Sequence, residues 1–402
     1  MLYRFAIVSD PHVALPDTIW QSPRRFHLVE VSIPALEQIF DHLALLNLDF
    51  LLIPGDLTQH GEPDNHRWLA RRLAQLPYPT YVIPGNHDFP AVSERVRTTQ
   101  AQFVRFYRAF GYDQGHRPYY CRAIAPGLRL IGLNSNQLSA DGTAIDGYID
   151  DEQMAWLDRT LAALPTDELA IVMVHHNLLE HLPDQGNHVL GKRYILENAA
   201  QLRQKLQAAG IQLVFSGHLH VQDIAEADGL YDLTTGSLVS YPHPYRTLAL
   251  REDTAGHLWL DVQSHRIATT PDWPDLPNQS RDWMGDRSEP FMRKLLEHSP
   301  LGLTAAEIDT YVPHLRHFWA DVAEGDRAID YPQLPPAVRA YCRSFGAIAP
   351  NGTPHRRDNH TSLALRRPNP WAIAPAPPSP PATRRERIDI RTKIVKESVG
   401  LS

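Results

Sequence analysis

Apolar runs three or four residues long recur along the first 265 residues, and each leads into a polar segment. Phe5-Ala6-Ile7-Val8, Phe50-Leu51-Leu52-Ile53, Tyr81-Val82-Ile83, Ile171-Val172-Met173-Val174 and Leu213-Val214-Phe215 are continuous rather than alternating. That is the pattern of strands covered on both faces. Between the runs the spacing becomes helical. Over residues 151–164, Met154, Trp156, Leu157, Leu161 and Leu164 share one broad face, with Asp150 or Asp151 placed to cap it. Residues 198–209 behave similarly and meet Gly210, a good helix stop. Strands alternating with helices predict an α/β domain with a largely parallel sheet portion. Residues 119–134 and 221–262 instead read as strands separated only by turns, Asp228-Gly229 and Ala255-Gly256 among them. These predict antiparallel additions, enough to build a second sheet.

After residue 265 the texture changes. Residues 270–290 are rich in Pro, Asp, Ser and Trp and read as a surface linker. Residues 291–345 look helical: Thr304-Ala305-Ala306-Glu307 is a capping-box pattern, and Ile308, Tyr311, Leu315, Phe318 and Trp319 form an apolar stripe. Seven prolines fall within 366–382 and the end of the chain is basic, which predicts an extended, poorly ordered tail. The expected division is 1–268 for the α/β domain, 269–290 for the linker, 291–365 for a small helical domain and 366–402 for the tail.

A hydrophobic content of 43% with 21% charged residues is that of a globular protein. The formal charge of −7 argues against a broad nucleic-acid surface, which needs a basic excess. Two cysteines, far apart and without CxxC spacing, argue against a disulfide framework and for a reducing compartment. No apolar run approaches the length of a membrane span. The first residues read directly as a strand without a secretory leader, so the cytoplasm is the expected location.

Each of the five runs leads into residue types that bind metals: Asp10-Pro11-His12, Gly55-Asp56, Gly85-Asn86-His87-Asp88, His175-His176 and Gly217-His218-Leu219-His220. In an α/β sheet such strand ends gather on one edge, where ligands bind. Singly, each segment has a plain structural reading. Asp10 could cap a helix, Gly55-Asp56 could be an ordinary strand exit, and Asn86 and Asp88 are common turn formers. Two imidazoles at i and i+2 after a glycine, however, are rarely needed for packing. Together the segments offer carboxylate, amide and imidazole ligands, which suit Mn, Fe, Co, Ni or Zn better than Ca or Mg. A pair of such ions hydrolyses phosphate esters.

The ordered set D-x-H, G-D, G-N-H-D, H and G-H-x-H, spread over residues 3–265, resembles the calcineurin-like metallophosphoesterase superfamily. Within it, Gly55-Asp56-Leu57-Thr58 and the G-N-H-D form look most like class III cyclic nucleotide phosphodiesterases, including members with an added helical C-terminal domain. Purple acid phosphatases usually carry a tyrosine three residues after the bridging aspartate; Gln59 at that position disfavours that branch. The resemblance implies a four-layer αββα sandwich, with two mixed sheets face to face and two metal ions at one edge. It further implies that the helical region packs near that edge or mediates a homodimer.

By the same resemblance, Asp10, His12 and His220 would ligate one ion, Asn86, His175 and His218 the other, and Asp56 would bridge them. The family uses the first histidine at the His175-His176 position; Asn177 replaces the usual proline there, which leaves His176 as an alternative. His87 would stabilise transition-state charge or protonate the leaving oxygen, with Asp88 fixing its tautomer; a plain helix cap is the other reading of Asp88. The implied reaction is hydrolysis of a small phosphodiester, a 3′,5′-cyclic nucleotide such as cyclic AMP, by a metal-bridging hydroxide. Phosphomonoesters and glycerophosphodiesters are alternative substrates of the same core. A partner-recruiting scaffold built on the helical region and Pro-rich tail is the non-enzymatic alternative. Three weaker features remain. His60 is either pocket-lining or a solvated loop residue. An aromatic and Arg246 within 241–246 could hold a base or phosphate, or form a rigid connection. The polar loop 184–188 could border the opening.

Overall fold

The computed structural model describes residues 2–22, 25–89, 98–113, 115–138, 144–145, 147–347, 351, 353 and 357–367. Most of the expected Pro-rich tail, from residue 368 onward, lies outside them.

In chain order the elements are β1 (Tyr3–Ile7), α1 (Ser32–Ala44), β2 (Phe50–Pro54), α2 (Pro63–Leu73), β3 (Thr80–Ile83), α3 (Gln100–Phe106), β4 (Tyr120–Ala125) and β5 (Leu128–Gly132). A short hairpin, β6 (Gln137–Leu138) and β7 (Ala144–Ile145), precedes α4 (Asp151–Ala162), β8 (Leu169–Met173), α5 (Ala199–Ala208), β9 (Leu213–Ser216), β10 (Asp223–Ala227) and β11 (Leu230–Thr234). Two long strands come next, β12 (Pro244–Glu252) and β13 (Leu258–Arg266). The remainder is α6 (Leu276–Arg287), α7 (Glu289–Glu297), α8 (Ala305–Tyr311), α9 (Phe318–Ala323), α10 (Pro336–Arg343) and β14 (His360–Leu365).

Two mixed six-stranded sheets result, ordered β14-β13-β12-β1-β2-β3 and β10-β11-β9-β8-β5-β4. In the first, β1, β2 and β3 run parallel, and the added strands are antiparallel. In the second, β5, β8, β9 and β11 are mutually parallel, with β4 and β10 antiparallel at the edges. The period-2 geometry of a strand sorts its side chains into layers. Ile171 and Met173 enter the core shared with the first sheet, whereas Ala170, Val172 and Val174 meet Met154, Leu157, Leu202 and Leu206 of α4 and α5. Phe5 of β1 approaches Phe215 of β9 edge-on at 5.8 Å, which brings the two sheets together. On the far side of the first sheet, α1 contributes Leu36, Ile39, Phe40 and Leu43. This is the expected αββα sandwich.

Local signals carry through. Asp150 caps α4 by accepting from the Gln153 amide at 2.7 Å, and Thr304 with Glu307 forms the capping box of α8. Two segments differ from expectation. Residues 270–290, read as a linker, contain α6; its buried positions are Leu276, Ser280, Met284 and Gly285, so the buried face includes Ser and Gly and carries little apolar signal. His360–Leu365, assigned by sequence to the helical region, is an edge strand of the first sheet, registered from Leu258↔Leu365 to Gln263↔His360.

The helical region has its own core, built on Met284, Met292, Leu295, Leu296, Ile308, Leu315, Phe318 and Trp319. Leu182, Leu219, Val221 and Tyr241 of the sandwich join that core. No described helix is long and apolar enough to cross a membrane.

Candidate dinuclear metal site

The chain leaves β1, β2, β3, β8 and β9 at one edge of the sandwich, and each exit loop carries one of the five segments. The loops turn sharply. Asp10, His12, Asp56, His218 and His220 all have positive φ, between 40° and 65°, which is five of the nine such non-glycine residues among those described. Backbone strain of about 1–3 kcal/mol per residue persists only where surrounding structure enforces it, and it concentrates at functional sites. Two glycines permit the crowding. A Cβ on Gly85 would stand 2.2 Å from both the amide nitrogen and Oδ1 of Asp56, and one on Gly217 would stand 2.4 Å from Asp10 Oδ2.

The donor atoms fall into groups that share Asp56. Ligand atoms of Asp10, His12, Asp56 and His220 lie within 4.8 Å of one another, and so do those of Asp56, His175 and His218. His12 Nε2 is 3.6 Å and His175 Nε2 3.4 Å from Asp56 Oδ2, while His220 Nε2 is 3.1 Å from Asp10 Oδ1. Asn86 Oδ1 is 3.1 Å from His175 Nε2, at the second group. Main-chain amides orient the carboxylates: His218 N–H donates to Asp10 and His87 N–H to Asp56 Oδ1 at 2.8 Å. All seven residues expected as ligands are thereby brought together.

Hydrogen bonding assigns one ring nitrogen of several histidines. His175 Nδ1 faces Pro54 O at 2.9 Å and His218 Nε2 faces Arg193 O at 3.1 Å. A carbonyl only accepts, so those nitrogens carry a proton, and the opposite nitrogen is the one turned to the donor group. His12 is fully buried, and neither of its ring nitrogens has a hydrogen-bond partner. A buried polar group without a partner costs roughly 1–3 kcal/mol, and an ion beside Asp10 and Asp56 would give one of the two nitrogens a partner. The donor set fits divalent transition ions.

Electrostatics agree. Burial, reinforced by neighbouring imidazoles, holds the pKa of His12 and of His218 well below that of a free histidine, so both stay neutral as metal ligation requires. Burial disfavours charge on Asp56, but His175 and His87 outweigh it and keep that carboxylate well below its usual range. Burial likewise opposes protonation of His175, yet Asp56 lifts its pKa to about 9, so a cation held beside Asp56 would have to displace a proton from that ring.

His176 occupies a different place. Its Nδ1 is 2.7 Å from Ser135 Oγ, and burial drives its pKa down to about 3. Asn177 ties the two histidine loops together: its side-chain amide donates to Ser216 Oγ at 3.1 Å and its oxygen accepts from Gln185.

The expected link from Asp88 to the His87 ring is corrected. Asp88 turns inward and accepts from the amides of Gly85 (2.8 Å), Thr58 (3.0 Å) and Leu57 (3.1 Å), fixing the Asp56 loop against the Asn86 loop. The His87 tautomer is set instead by Gln59 O, 2.6 Å from Nδ1. His60 is no isolated loop residue: its ring stacks on His87 at 5.0 Å and 19°. Arg246 is also corrected. It is fully buried, and its guanidinium is spent on the carbonyls of Thr234 and Asp358. Loop 184–188 lies beside the helical region, where His188 lines a small cavity with Phe291, Leu295 and Trp319.

Sequence reasoning missed His27. Its ring stands 4.4 Å from His12 and 4.8 Å from His220, yet no motif surrounds it. Leu219, between His218 and His220, reads in sequence as a spacer; it is buried in the core of the helical region.

The model of the calcineurin-like phosphoesterase family matches residues 3–222, a span that contains all five segments. The chain belongs to that family. This calcineurin-like phosphoesterase is 24% identical to a 3′,5′-cyclic-nucleotide phosphodiesterase of Nostoc sp. over 225 residues, covering 56% of this chain and 75% of the relative. It is 24% identical to the 3′,5′-cyclic adenosine monophosphate phosphodiesterase of Escherichia coli K12, covering 58% and 79%. A glycerophosphodiester phosphodiesterase of Enterobacter lignolyticus is 28% identical over 130 residues, covering 32% and 41%. The phosphoesterase chain is therefore a metal-dependent hydrolase by family, with a candidate two-ion site at the sandwich edge.

Proposed function

We propose that this protein is a dinuclear-metal-dependent phosphodiesterase whose substrate is a 3′,5′-cyclic nucleotide. One observation carries the reading: two donor groups share the single carboxylate of Asp56, with His87 beside them. Asp10, His12 and His220 would hold one ion, Asn86, His175 and His218 the second, and Asp56 both. Bound there, the ions supply Lewis acidity toward the phosphoryl oxygens and lower the pKa of a water ligand toward neutrality.

The chain's own groups do the rest. Asp10 and Asp56 offset the positive charge of the ions, leaving a site that attracts a phosphodiester monoanion. As the P–O bond to the leaving oxygen breaks, that oxygen needs a proton. His87, with Nδ1–H fixed on Gln59 O, presents Nε2 for that transfer. The Cys121 and Cys342 thiols, both free, suit a reducing compartment such as the cytoplasm.

The named cyclic-nucleotide relatives support the substrate class, and the glycerophosphodiesterase relative supports the second reading, a glycerophosphodiester. Assays with Mn of cyclic AMP, bis-p-nitrophenyl phosphate, p-nitrophenyl phosphate and glycerophosphodiesters separate them. Turnover of the diesters, with cyclic AMP favoured, is expected. Turnover of the monoester alone would remove the proposal, and preference for glycerophosphodiesters would install the second reading.

A further inference from the structure

We propose that His27 is a protein ligand of the ion held by His12 and His220, giving that ion a third imidazole nitrogen. The inference rests on the two-ion reading of the site and adds a residue that the five strand-exit segments do not contain.

Ligand atoms of His12, His27 and His220 lie within 4.8 Å of one another, so this triad shares two members with the carboxylate-containing group around Asp10 and Asp56. The His27 ring also stands 5.8 Å from His87. Imidazoles packed on several sides of an imidazole gain little from one another, because neutral rings offer no opposite charge. A cation among them gives their lone pairs a common partner.

The position of His27 is built rather than incidental. Its two chain neighbours are each anchored: Leu28 N–H donates to Val239 O at 2.8 Å, and Trp283 Nε1–H donates to Phe26 O at 3.0 Å. Arg25 pairs with Glu30 and lies over the Trp283 ring, 5.5 Å from its centre. The segment is thus clamped between the sandwich and α6, and the ring loses little freedom on binding an ion.

The consequence is chemical. A third imidazole beside two carboxylates favours borderline ions such as Zn or Co over Mn or Mg. The two ions would then differ in preference, with the ion at His12 and His220 the more nitrogen-rich.

Two measurements test this, neither of them activity. In the cobalt-loaded protein, His27→Ala should change the visible d–d spectrum and release one of two cobalt equivalents to a competing chelator at least ~10-fold more readily, since even indirect loss of ligand support costs about that much. The exposed His257, changed to Ala, should alter neither. If His27→Ala does not fold, the unaltered protein loaded with cadmium-113 decides: one cadmium resonance should couple to three imidazoles and the other to two. An unchanged cobalt spectrum and affinity, or two imidazoles on each cadmium, would overturn the role of His27 while leaving the two-ion site standing. A protein that takes up no second ion would remove both.

Discussion

His87 Nδ1 lies 2.6 Å from the main-chain oxygen of Gln59, and that contact decides which of its nitrogens can serve a substrate. The ring is held by the main chain of the loop that also carries Asp56, and not by a candidate ligand side chain. His87→Ala should therefore lower kcat by roughly 10²–10⁴-fold, the usual worth of a positioned acid. Elemental analysis should find metal content near that of the unaltered protein. Loss of metal in the variant would make His87 structural.

Asp88 predicts a different phenotype from its neighbour. It accepts from three main-chain amides that brace the loops of Asp56 and Asn86. Asp88→Ala leaves those buried donors unpaired, at about 1–3 kcal/mol each, and should lower both unfolding free energy and metal retention. Asp88→Asn keeps an acceptor and should be milder. Equal effects of the two substitutions on denaturant unfolding would contradict this role.

Leu219 ties the helical region to the candidate metal site. The histidines on either side of it face the donor groups while Leu219 is buried among Met284, Leu295, Phe318 and Trp319. Leu219→Ala should cost about 2–5 kcal/mol and weaken metal retention through His218 and His220. Chelator competition at a temperature where the variant remains folded checks the second effect.

His181 sets a pH dependence. It is held between Asp223, 2.6 Å from Nδ1, and Asp232, 3.3 Å from Nε2. Burial opposes its charge, but the carboxylates, Asp232 foremost, lift its pKa to about 10. The folded value lies above the unfolded one of about 6.5, so the imidazolium stabilises the fold fully below that value and the contribution fades as pH rises through about 10. The stability gap between the unaltered protein and His181→Gln should be largest near pH ~6 and shrink toward pH ~10. A gap that widens over that range would contradict the assignment.

The sandwich, and the gathering of seven candidate residues at its edge, were legible because strands buried on both faces leave continuous apolar runs, and each run ends on an unusual polar segment. The features that sequence hides depend on distant partners. His27 owes its place to Val239 and Trp283, neither of which marks it in sequence. Helix α6 uses Ser280 and Gly285 on its buried face, so hydrophobic spacing does not reveal it. Strand β14 exists by pairing with β13, about a hundred residues earlier in the chain, as the hydrogen bond from Ser362 Oγ to Asp261 illustrates. Asp88 misleads for a simpler reason: adjacency to His87 along the chain does not make their side chains partners. Each meets different main-chain groups, Asp88 the amides of Leu57 and Thr58 and His87 the oxygen of Gln59.

That one carboxylate, Asp56, joins two ions is tested most directly by electron paramagnetic resonance of the protein loaded with two equivalents of Mn(II). An exchange-coupled multiline signal that collapses to that of isolated Mn(II) in Asp56→Ala is the expected result. The simple spectrum of magnetically isolated ions in the fully loaded, unaltered protein would contradict it.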